Sequence, residues 1–256
     1  MKRILLIANY QPGVGGISGQ VEELYNHLKS DGVDVHVFST KGSVLRRILL
    51  FFRLLRVSRT YDVLHIHGCS DWGMLPVVYG VVCGKVWHKR TVVTYHGGGA
   101  AEYFSRHARF ARRWLMRADE RIVLSGFLLN VFEQYHIPCI VIPNIVSFTT
   151  TNASRKVANP PIRFISVRHL RDLYNIPCIL RAFEIVHQSY PNATLSILGQ
   201  GPLRDQLEQW TLMHGLSQCV TFVGQVPNTE MPNYLSQSDI MLSAPHIDNM
   251  PVSVLE

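Results

Sequence analysis

The sequence predicts two α/β domains, each built on a parallel sheet with helices in the crossovers. Short apolar runs alternate with amphipathic helical patterns along the chain. Most of the runs are apolar throughout, as expected for strands that are buried on both faces. A stretch rich in Thr, Asn, Ser and Pro interrupts the pattern at 147–161. We therefore expect a first domain at 1–146, a linker at 147–161 and a second domain at 162–256.

The first domain is predicted to alternate regularly between strands and helices. The apolar run RILLIAN at 3–9 leads directly into a glycine turn, so it is interpreted as a buried strand rather than a signal peptide. Further strands are predicted at 33–39, 62–66, 90–95, 120–124 and 139–142. Helices are predicted between them at 17–30, 43–58, 72–84, 102–117 and 125–135. We expect these crossover helices to cover both faces of the sheet.

The same alternation restarts after the linker. Strands are predicted at 162–167, 194–198, 219–223 and 239–243, with helices at 176–190 and 203–214. Ligands of such doubly wound sheets bind at the carboxyl ends of the strands. The loops that follow strands are therefore the places to look for functional residues.

Composition limits the class of protein. A chain of 256 residues that is 47% hydrophobic and 17% charged can bury a sizeable core. Its five cysteines form no C-x-x-C pair, which argues against a disulfide framework or a zinc site and favours a reducing, cytoplasmic compartment. No run of about 18 apolar residues occurs, so no segment is predicted to span a membrane.

The first candidate site is the glycine loop that follows strand 3–9 and contains Gly15 and Gly16. Glycines there would let a phosphate approach the backbone at the amino end of the next helix, where the helix dipole favours an anion. A tight turn without a ligand is an equally good interpretation. Ser18 stands where a dinucleotide fingerprint needs glycine, so a nicotinamide cofactor is disfavoured.

The second candidate is His96, which follows strand 90–95 and precedes three glycines. A lone histidine is more often structural than catalytic, but this position at a strand's carboxyl end favours a functional role. His65 and His67 end the preceding strand. We expect their side chains to point to opposite faces of the sheet, which would exclude joint metal binding.

Three motifs follow strands of the second domain. Gly199 and Gly201 lie in SILGQGPLRDQLE, and Arg168 and Arg171 lie in the loop VRHLRDLYN. The third motif, DNMPVSVLE, places Asp248 and Glu256 in a D-x7-E spacing. Together with VVTYHGG at 92–98, VIPNIV at 141–146 and FVGQVP at 222–227, these motifs resemble those of the retaining group 1 glycosyltransferases of family four, in the same order.

This resemblance implies the GT-B fold, with two Rossmann-like doubly wound domains, and transfer of sugar from a nucleotide-diphosphate sugar, such as a UDP- or GDP-sugar. In such a protein His96 would lie near the donor sugar and the acceptor, and Asp248 would contact the sugar. Glu256 would accept hydrogen bonds from the ribose. Gly15, Gly16, Gly199 and Gly201 would belong to the donor site between the domains. Polysaccharide or cell-surface glycan biosynthesis is the implied pathway.

One position departs from the family pattern. The lysine that usually neutralises the donor diphosphate is replaced by Tyr174, so Arg168 or Arg171 would have to supply the positive charge. No D-x-D pair occurs in the chain, so a metal-bound diphosphate lacks its usual ligands and we expect no metal or cofactor.

The family pattern continues beyond the point that corresponds to Glu256. We therefore expect the second domain to be incomplete and the chain to be weakly active and poorly stable by itself. Two function classes stay open. One is a glycosyltransferase that extends a glycan or a lipid-linked sugar, and the other is a non-catalytic remnant that binds nucleotide or membrane. A sugar epimerase of the same fold is a third, less favoured alternative.

The net charge of +7 is concentrated in the first domain, where residues 1–148 hold 18 Lys and Arg against 10 Asp and Glu. The helix at 44–59 interleaves arginines with Leu, Ile and Phe, a pattern typical of helices that lie on anionic membranes. An ordinary crossover helix with an arginine rim is the alternative. The arginine run at 106–117 favours the membrane, and nucleic acid is disfavoured because no aromatic and basic residues interleave on a sheet. A cytoplasmic protein, peripheral at the inner face of the membrane, is the resulting hypothesis.

Overall fold

The computed structural model describes residues 2–13, 16–146, 161–227 and 229–255. The chain divides into two compact units, Met1–Ser147 and Phe148–Glu256. The predicted linker at 147–161 falls, except for its last residue, outside the described residues. No helix in the described ranges combines the length and the apolar character that crossing a membrane requires.

The first unit is a six-stranded parallel sheet with helices in its crossovers. Its strands are β1 Arg3–Ala8, β2 Asp34–Ser39, β3 Val63–Gly68, β4 Arg90–Tyr95, β5 Glu120–Val123 and β6 Ile140–Val141, arranged in the order β2-β1-β3-β4-β5-β6. Its helices are α1 Ile17–Ser30, α2 Val44–Ser58, α3 Leu75–Trp87, α4 Ala100–Leu115 and α5 Gly126–Gln134. The sequence therefore predicted each of these elements in its correct place.

The two faces of this sheet are covered unequally. Helices α2 to α5 pack into one large apolar cluster with the strand residues Leu5, Ile66 and Val93. Helix α1 packs on the other face, where Val21 contacts a smaller cluster that includes Leu6. The direction of the chain explains this distribution, because right-handed crossovers leading to β2 and away from it lie on opposite faces.

The predicted helix at 72–84 is the least accurate of these boundaries. The chain first forms a 3-10 turn at Asp71–Met74, and α3 then runs from Leu75 to Trp87. Pro76 lies in the first turn of α3, where its fixed φ is already helical and its missing N–H is not needed. The helix ends at His88, which adopts a left-handed conformation with φ 51°.

The second unit is a four-stranded parallel sheet. Its strands are β7 Arg163–Val167, β8 Thr194–Leu198, β9 Val220–Gly224 and β10 Ile240–Met241, in the order β10-β7-β8-β9. Its helices are α6 Ile176–Ser189, α7 Arg204–Met213, α8 Met231–Ser236 and α9 Val252–Leu255. The two short helices α8 and α9 were not predicted, because neither is long enough to show a helical period. A doubly wound sheet in each unit agrees with the predicted fold class.

Candidate active site

In the first unit, β3 and β4 bring three histidines together. The rings of His65 and His67 stack with their centroids 4.6 Å apart, and those of His67 and His96 stack at 5.2 Å. His67 Nδ1 lies 3.0 Å from His96 Nε2, and His65 Nε2 lies 2.8 Å from the Thr94 hydroxyl. We call His65, His67 and His96 the histidine cluster.

The prediction that His65 and His67 point to opposite faces is wrong. Residues two apart in a strand point to the same face, and Leu64 and Ile66, which alternate with these histidines, take the face that packs against α2 to α5. The argument against joint metal binding that was drawn from that prediction therefore fails. No group of three or more metal-binding side chains suited to holding an ion occurs within the described parts of the chain.

Burial keeps the histidine cluster uncharged at neutral pH. It lowers the pKa of His65 to about 4 and that of His96 to about 3, and it lowers the pKa of His67 well below its usual value. A neutral imidazole has one donor and one acceptor nitrogen, so the bond between His67 and His96 couples their tautomers. His96 is held as a neutral, oriented ring that can donate or accept one further hydrogen bond.

These pKa values predict how the stability of the first unit depends on pH. The folded-state pKa values lie below the unfolded value of about 6.5, so the unfolded state binds more protons between these limits. The stabilising contribution is therefore present above pH 6.5 and is lost as the pH falls towards 4. We expect protonation of His65 alone to lower the free energy of unfolding by about 3 kcal/mol over this range, since its pKa falls from 6.5 to about 4 on folding and one pKa unit corresponds to about 1.4 kcal/mol.

Thermal unfolding between pH 7.5 and 4.5 measures this effect. The variant His65→Gln keeps a polar group near Thr94 but cannot protonate, so its stability should fall less in this range. Replacement of the exposed His27 by Gln is the control. The carboxylates with lowered pKa values are those of Asp34 and Asp119. Their contribution to stability is lost only at lower pH, so they do not affect the measurement between pH 7.5 and 4.5. An unchanged slope in His65→Gln would contradict the prediction.

The glycine loop before α1 is described only in part, because Gly15 lies outside the described residues. Gly16 caps α1 with φ 68° and ψ −133°, and a Cβ placed there would meet nothing within 4 Å. Glycine is therefore required by the backbone conformation rather than by crowding, and open space lies beside the first turn of α1. This geometry is compatible with an anion but equally with a plain turn.

Sequence reasoning missed Gln20 in the same helix. Its side-chain amide donates to the carbonyl oxygen of Ile145 and accepts from the amide of Ile145, both at 2.8 Å, and its side chain is buried. These two bonds hold the segment PNIV at 143–146 against α1. This segment was singled out because it resembles a family motif. Nothing in the sequence indicates that Gln20, 125 residues from Ile145, is its partner.

In the second unit, β7 and β10 bring Arg168 and Asp248 into an ion pair. The Arg168 guanidinium lies 3.1 Å from Asp248 Oδ2 and donates to the Ser243 hydroxyl at 3.2 Å. It also lies over the ring of Tyr174, 5.6 Å from the centroid. The Arg168 side chain is only 9% exposed and that of Asp248 is 25% exposed. A charge buried to this degree needs such partners, and we call Arg168, Ser243 and Asp248 the arginine–carboxylate cluster.

The other predicted charges are placed differently. Arg171 is exposed and precedes the 3-10 turn Asp172–Tyr174, so Arg168 is the arginine that meets Asp248. Glu256 lies outside the described residues. Ser243 was not predicted, although it lies in the loop that follows β10, the kind of place in which functional residues were expected. Tyr174, at the position where the resemblance leads one to expect a lysine, contributes its ring to Arg168.

Gly199 and Gly201 allow the loop after β8 to pack against the loop after β7. A Cβ at Gly199, which has φ 137°, would lie 2.1 Å from the Arg168 carbonyl oxygen, and one at Gly201 would lie 2.2 Å from that of Leu170. Backbone bonds from Leu170 N to Gln200 O and from Leu203 N to Leu170 O join the loops. The glycines therefore fix the backbone from which Arg168 projects.

Two family models match the chain in succession. The model of Glycosyltransferase Family 4 matches residues 42–149, and that of Glycosyl transferases group 1 matches residues 148–256. Each model matches less than half of the chain, so each half is similar to a family of glycosyltransferases. The two models join within a residue of the boundary between the two compact units.

Solved glycosyltransferase structures share the fold of this chain. The Anabaena protein HepE, in complex with UDP and glucose, is 17% identical with a TM-score of 0.72, over 96% of this chain and 74% of that one. The lipopolysaccharide outer core galactosyltransferase WaaB is 13% identical with a TM-score of 0.67, over 99% of this chain and 77% of that one. At these identities the likeness establishes the GT-B fold alone.

The match to curated relatives covers a smaller share of their length. A glycogen synthase of Mycobacterium tuberculosis is 24% identical over 229 residues, which are 84% of this chain and 54% of the relative. The amylovoran biosynthesis glycosyltransferase AmsK of Erwinia amylovora is 28% identical over 108 residues, 40% of this chain and 26% of the relative. The chain thus spans about half the length of the glycogen synthases that it matches.

Proposed function

We propose that this chain is a group 1 glycosyltransferase that binds a nucleotide-diphosphate sugar, a UDP- or GDP-sugar. The enzyme to which it belongs would transfer the sugar with retention to a glycan or lipid-linked acceptor without a metal ion. The arginine–carboxylate cluster carries the proposal. A largely buried guanidinium lies at the carboxyl end of β7, where ligands of parallel sheets bind. Guanidinium matches the oxygens of a phosphate in a bidentate geometry.

The residues then have separable roles. Arg168 stabilises the charge that develops on the departing diphosphate, which is the task that a metal ion performs in other transferases. Its ion pair holds the Asp248 carboxylate at a defined place, where it contacts sugar hydroxyls. Glu256 and Gly15 lie outside the described residues, and their roles at the ribose and in the donor site rest on the resemblance alone. His96, held neutral by the histidine cluster, offers a hydrogen bond to the sugar or the acceptor.

Calorimetric titration of the purified 256-residue chain with UDP and GDP tests the donor site. We expect one nucleotide to bind at a single site, with the same affinity in EDTA as in manganese. Absence of binding to either nucleotide would overturn the proposal, and binding only with manganese would overturn its metal-free part. Proton NMR of the sugar released from the matching nucleotide sugar tests retention. The anomer that appears first should have the same configuration as the donor.

A non-catalytic chain that binds nucleotide is the alternative within the same fold. It predicts the same titration but no release of sugar and no transfer. The relative AmsK acts in amylovoran biosynthesis by its name, which favours polysaccharide or cell-surface glycan synthesis for a catalytic form.

We also propose that helix α2 docks the protein on the cytoplasmic face of an anionic membrane. Leu54 and Ser58 face the core, whereas Ile48, Leu49 and Phe52 are 52%, 70% and 62% exposed. Exposed arginines flank these side chains, and an apolar ridge with cationic flanks is suited to the interface of a bilayer. Sedimentation with phosphatidylglycerol vesicles tests this role. Binding should be lost in Phe52→Ser and kept in Ile185→Ser, a control at an exposed position of α6.

A further inference from the structure

A cleft lies beside α4 on the face of the first unit that also carries α2. Its volume is about 440 Å³. Its lining is mainly apolar and comes from the turn before α3, from α3 itself and from α4, through Asp71, Trp72, Met74, Leu75, Val78, Tyr103, His107 and Phe110. Met74 and Tyr103 are 1% and 7% exposed, so they form a buried floor.

The mouth of the cleft exposes large aromatic side chains. Trp72 is 66% exposed and Phe110 is 45% exposed. Removal of a large apolar side chain from water stabilises the state in which it is buried. A ligand that covers both rings while it fills the cleft would gain this contribution, and a slender hydrocarbon chain has the shape for it.

Positive charge surrounds the mouth. The Arg47 guanidinium of α2 lies over the Trp72 ring, 5.2 Å from the centroid. Beyond Phe110, the next turns of α4 form a second hollow of about 530 Å³ in which every charged lining residue is an arginine, namely Arg109, Arg112, Arg113 and Arg117. Asp71 is the carboxylate of the cleft itself, so an anionic head is favoured on the α4 side rather than beside Asp71.

The geometry points to a binding site for a single anionic lipid, with one hydrocarbon chain in the cleft between Trp72 and Phe110 and its phosphate on Arg109 and Arg113. These two arginines lie four residues apart on one face of α4, and Phe110 lies on the adjoining side of the same helix, so the cationic and apolar parts are neighbours. The inference rests on the proposed membrane docking of α2, because a lipid reaches the cleft from a bilayer. It assigns α4 and the turn at Asp71–Met74 a role separate from that of α2.

Titration of the 256-residue chain with dodecyl phosphate, kept below its micelle concentration, tests the site without a membrane. We expect saturable binding that weakens about tenfold or more in Trp72→Ala and in the double variant Arg109→Gln, Arg113→Gln, because each removes more than about 1.4 kcal/mol. Butyl phosphate, with the head but too short a chain, should not bind. Dodecyl maltoside, with the chain but no charge, should bind about tenfold more weakly. The matched controls are Ile185→Ala and Lys29→Gln, exposed positions outside this face.

The outcomes separate this inference from the membrane proposal. Equal binding of dodecyl phosphate to the Trp72→Ala variant and the native chain would overturn the assignment of the cleft as the lipid site. This holds even if vesicle binding still depended on Phe52. Loss of vesicle binding in Phe52→Ser with dodecyl phosphate binding intact would support both roles. If dodecyl phosphate binds the cleft but vesicles do not bind the native chain, the site is correct and the docking surface is wrong.

Discussion

Replacement of Arg168 by alanine is expected to weaken binding of the nucleoside diphosphate by about 100-fold, the range observed when one partner of a buried charge pair is removed. The Arg168 guanidinium is largely buried and already carries two polar partners in the second unit. Its removal takes away the charge that would meet the diphosphate and also releases the Asp248 carboxylate. Titration with UDP or GDP, whichever the native chain binds, measures the loss.

The chain offers a matched control in Arg171→Ala. Arg171 lies three residues away in the same loop but is exposed, so we expect a change of less than about threefold, as for surface charges in general. Arg168→Lys keeps the charge but not the bidentate fork, and should lie between the two. A circular dichroism spectrum and melting temperature close to native would exclude unfolding as the cause. Equal losses in both alanine variants would contradict the assignment of Arg168.

The second large effect is expected from Gly199→Ala, which should destabilise the second unit by about 3–5 kcal/mol. Two causes add. The backbone at Gly199 has φ 137°, which side chains disfavour, and the new Cβ would lie 2.1 Å from the Arg168 carbonyl oxygen. Neither Gly199 nor the Arg168 carbonyl can move easily, because the backbone of both residues is hydrogen-bonded in the region of the sheet. Differential scanning calorimetry should show a lowered transition for the unit that contains Gly199.

Two further variants separate the causes. Gly215→Ala introduces only the backbone strain, since φ is 70° and nothing lies within 4 Å of the new Cβ, so it should cost about 1 kcal/mol. Gly201→Ala introduces the collision, with the Leu170 carbonyl oxygen 2.2 Å away and no left-handed φ. We expect it to cost more than Gly215→Ala and less than Gly199→Ala. If Gly199→Ala were no worse than Gly215→Ala, close packing of the two loops would not be needed.

The alternation of strands and helices and the positions of the functional loops follow from the sequence alone. Both depend on properties that are local along the chain. An apolar run of five or six residues can be buried as a strand wherever its neighbours cover it, and glycine or proline marks its end. For that reason His96, Arg168 and Gly199 were correctly placed directly after β4, β7 and β8. Their roles at a donor site were inferred from resemblance and stay proposals.

The pairing of side chains was decided only by the tertiary structure. Arg168 and Arg171 are equivalent in the sequence, and the difference arises because β10 lies beside β7 and carries Ser243 and Asp248 to Arg168 from 75 or more residues away. The exposure of Ile48, Leu49 and Phe52 was likewise open, since an arginine-rimmed helix can bury either side. Contacts between distant segments depend on strand order and loop packing, which are long-range properties that no local pattern encodes.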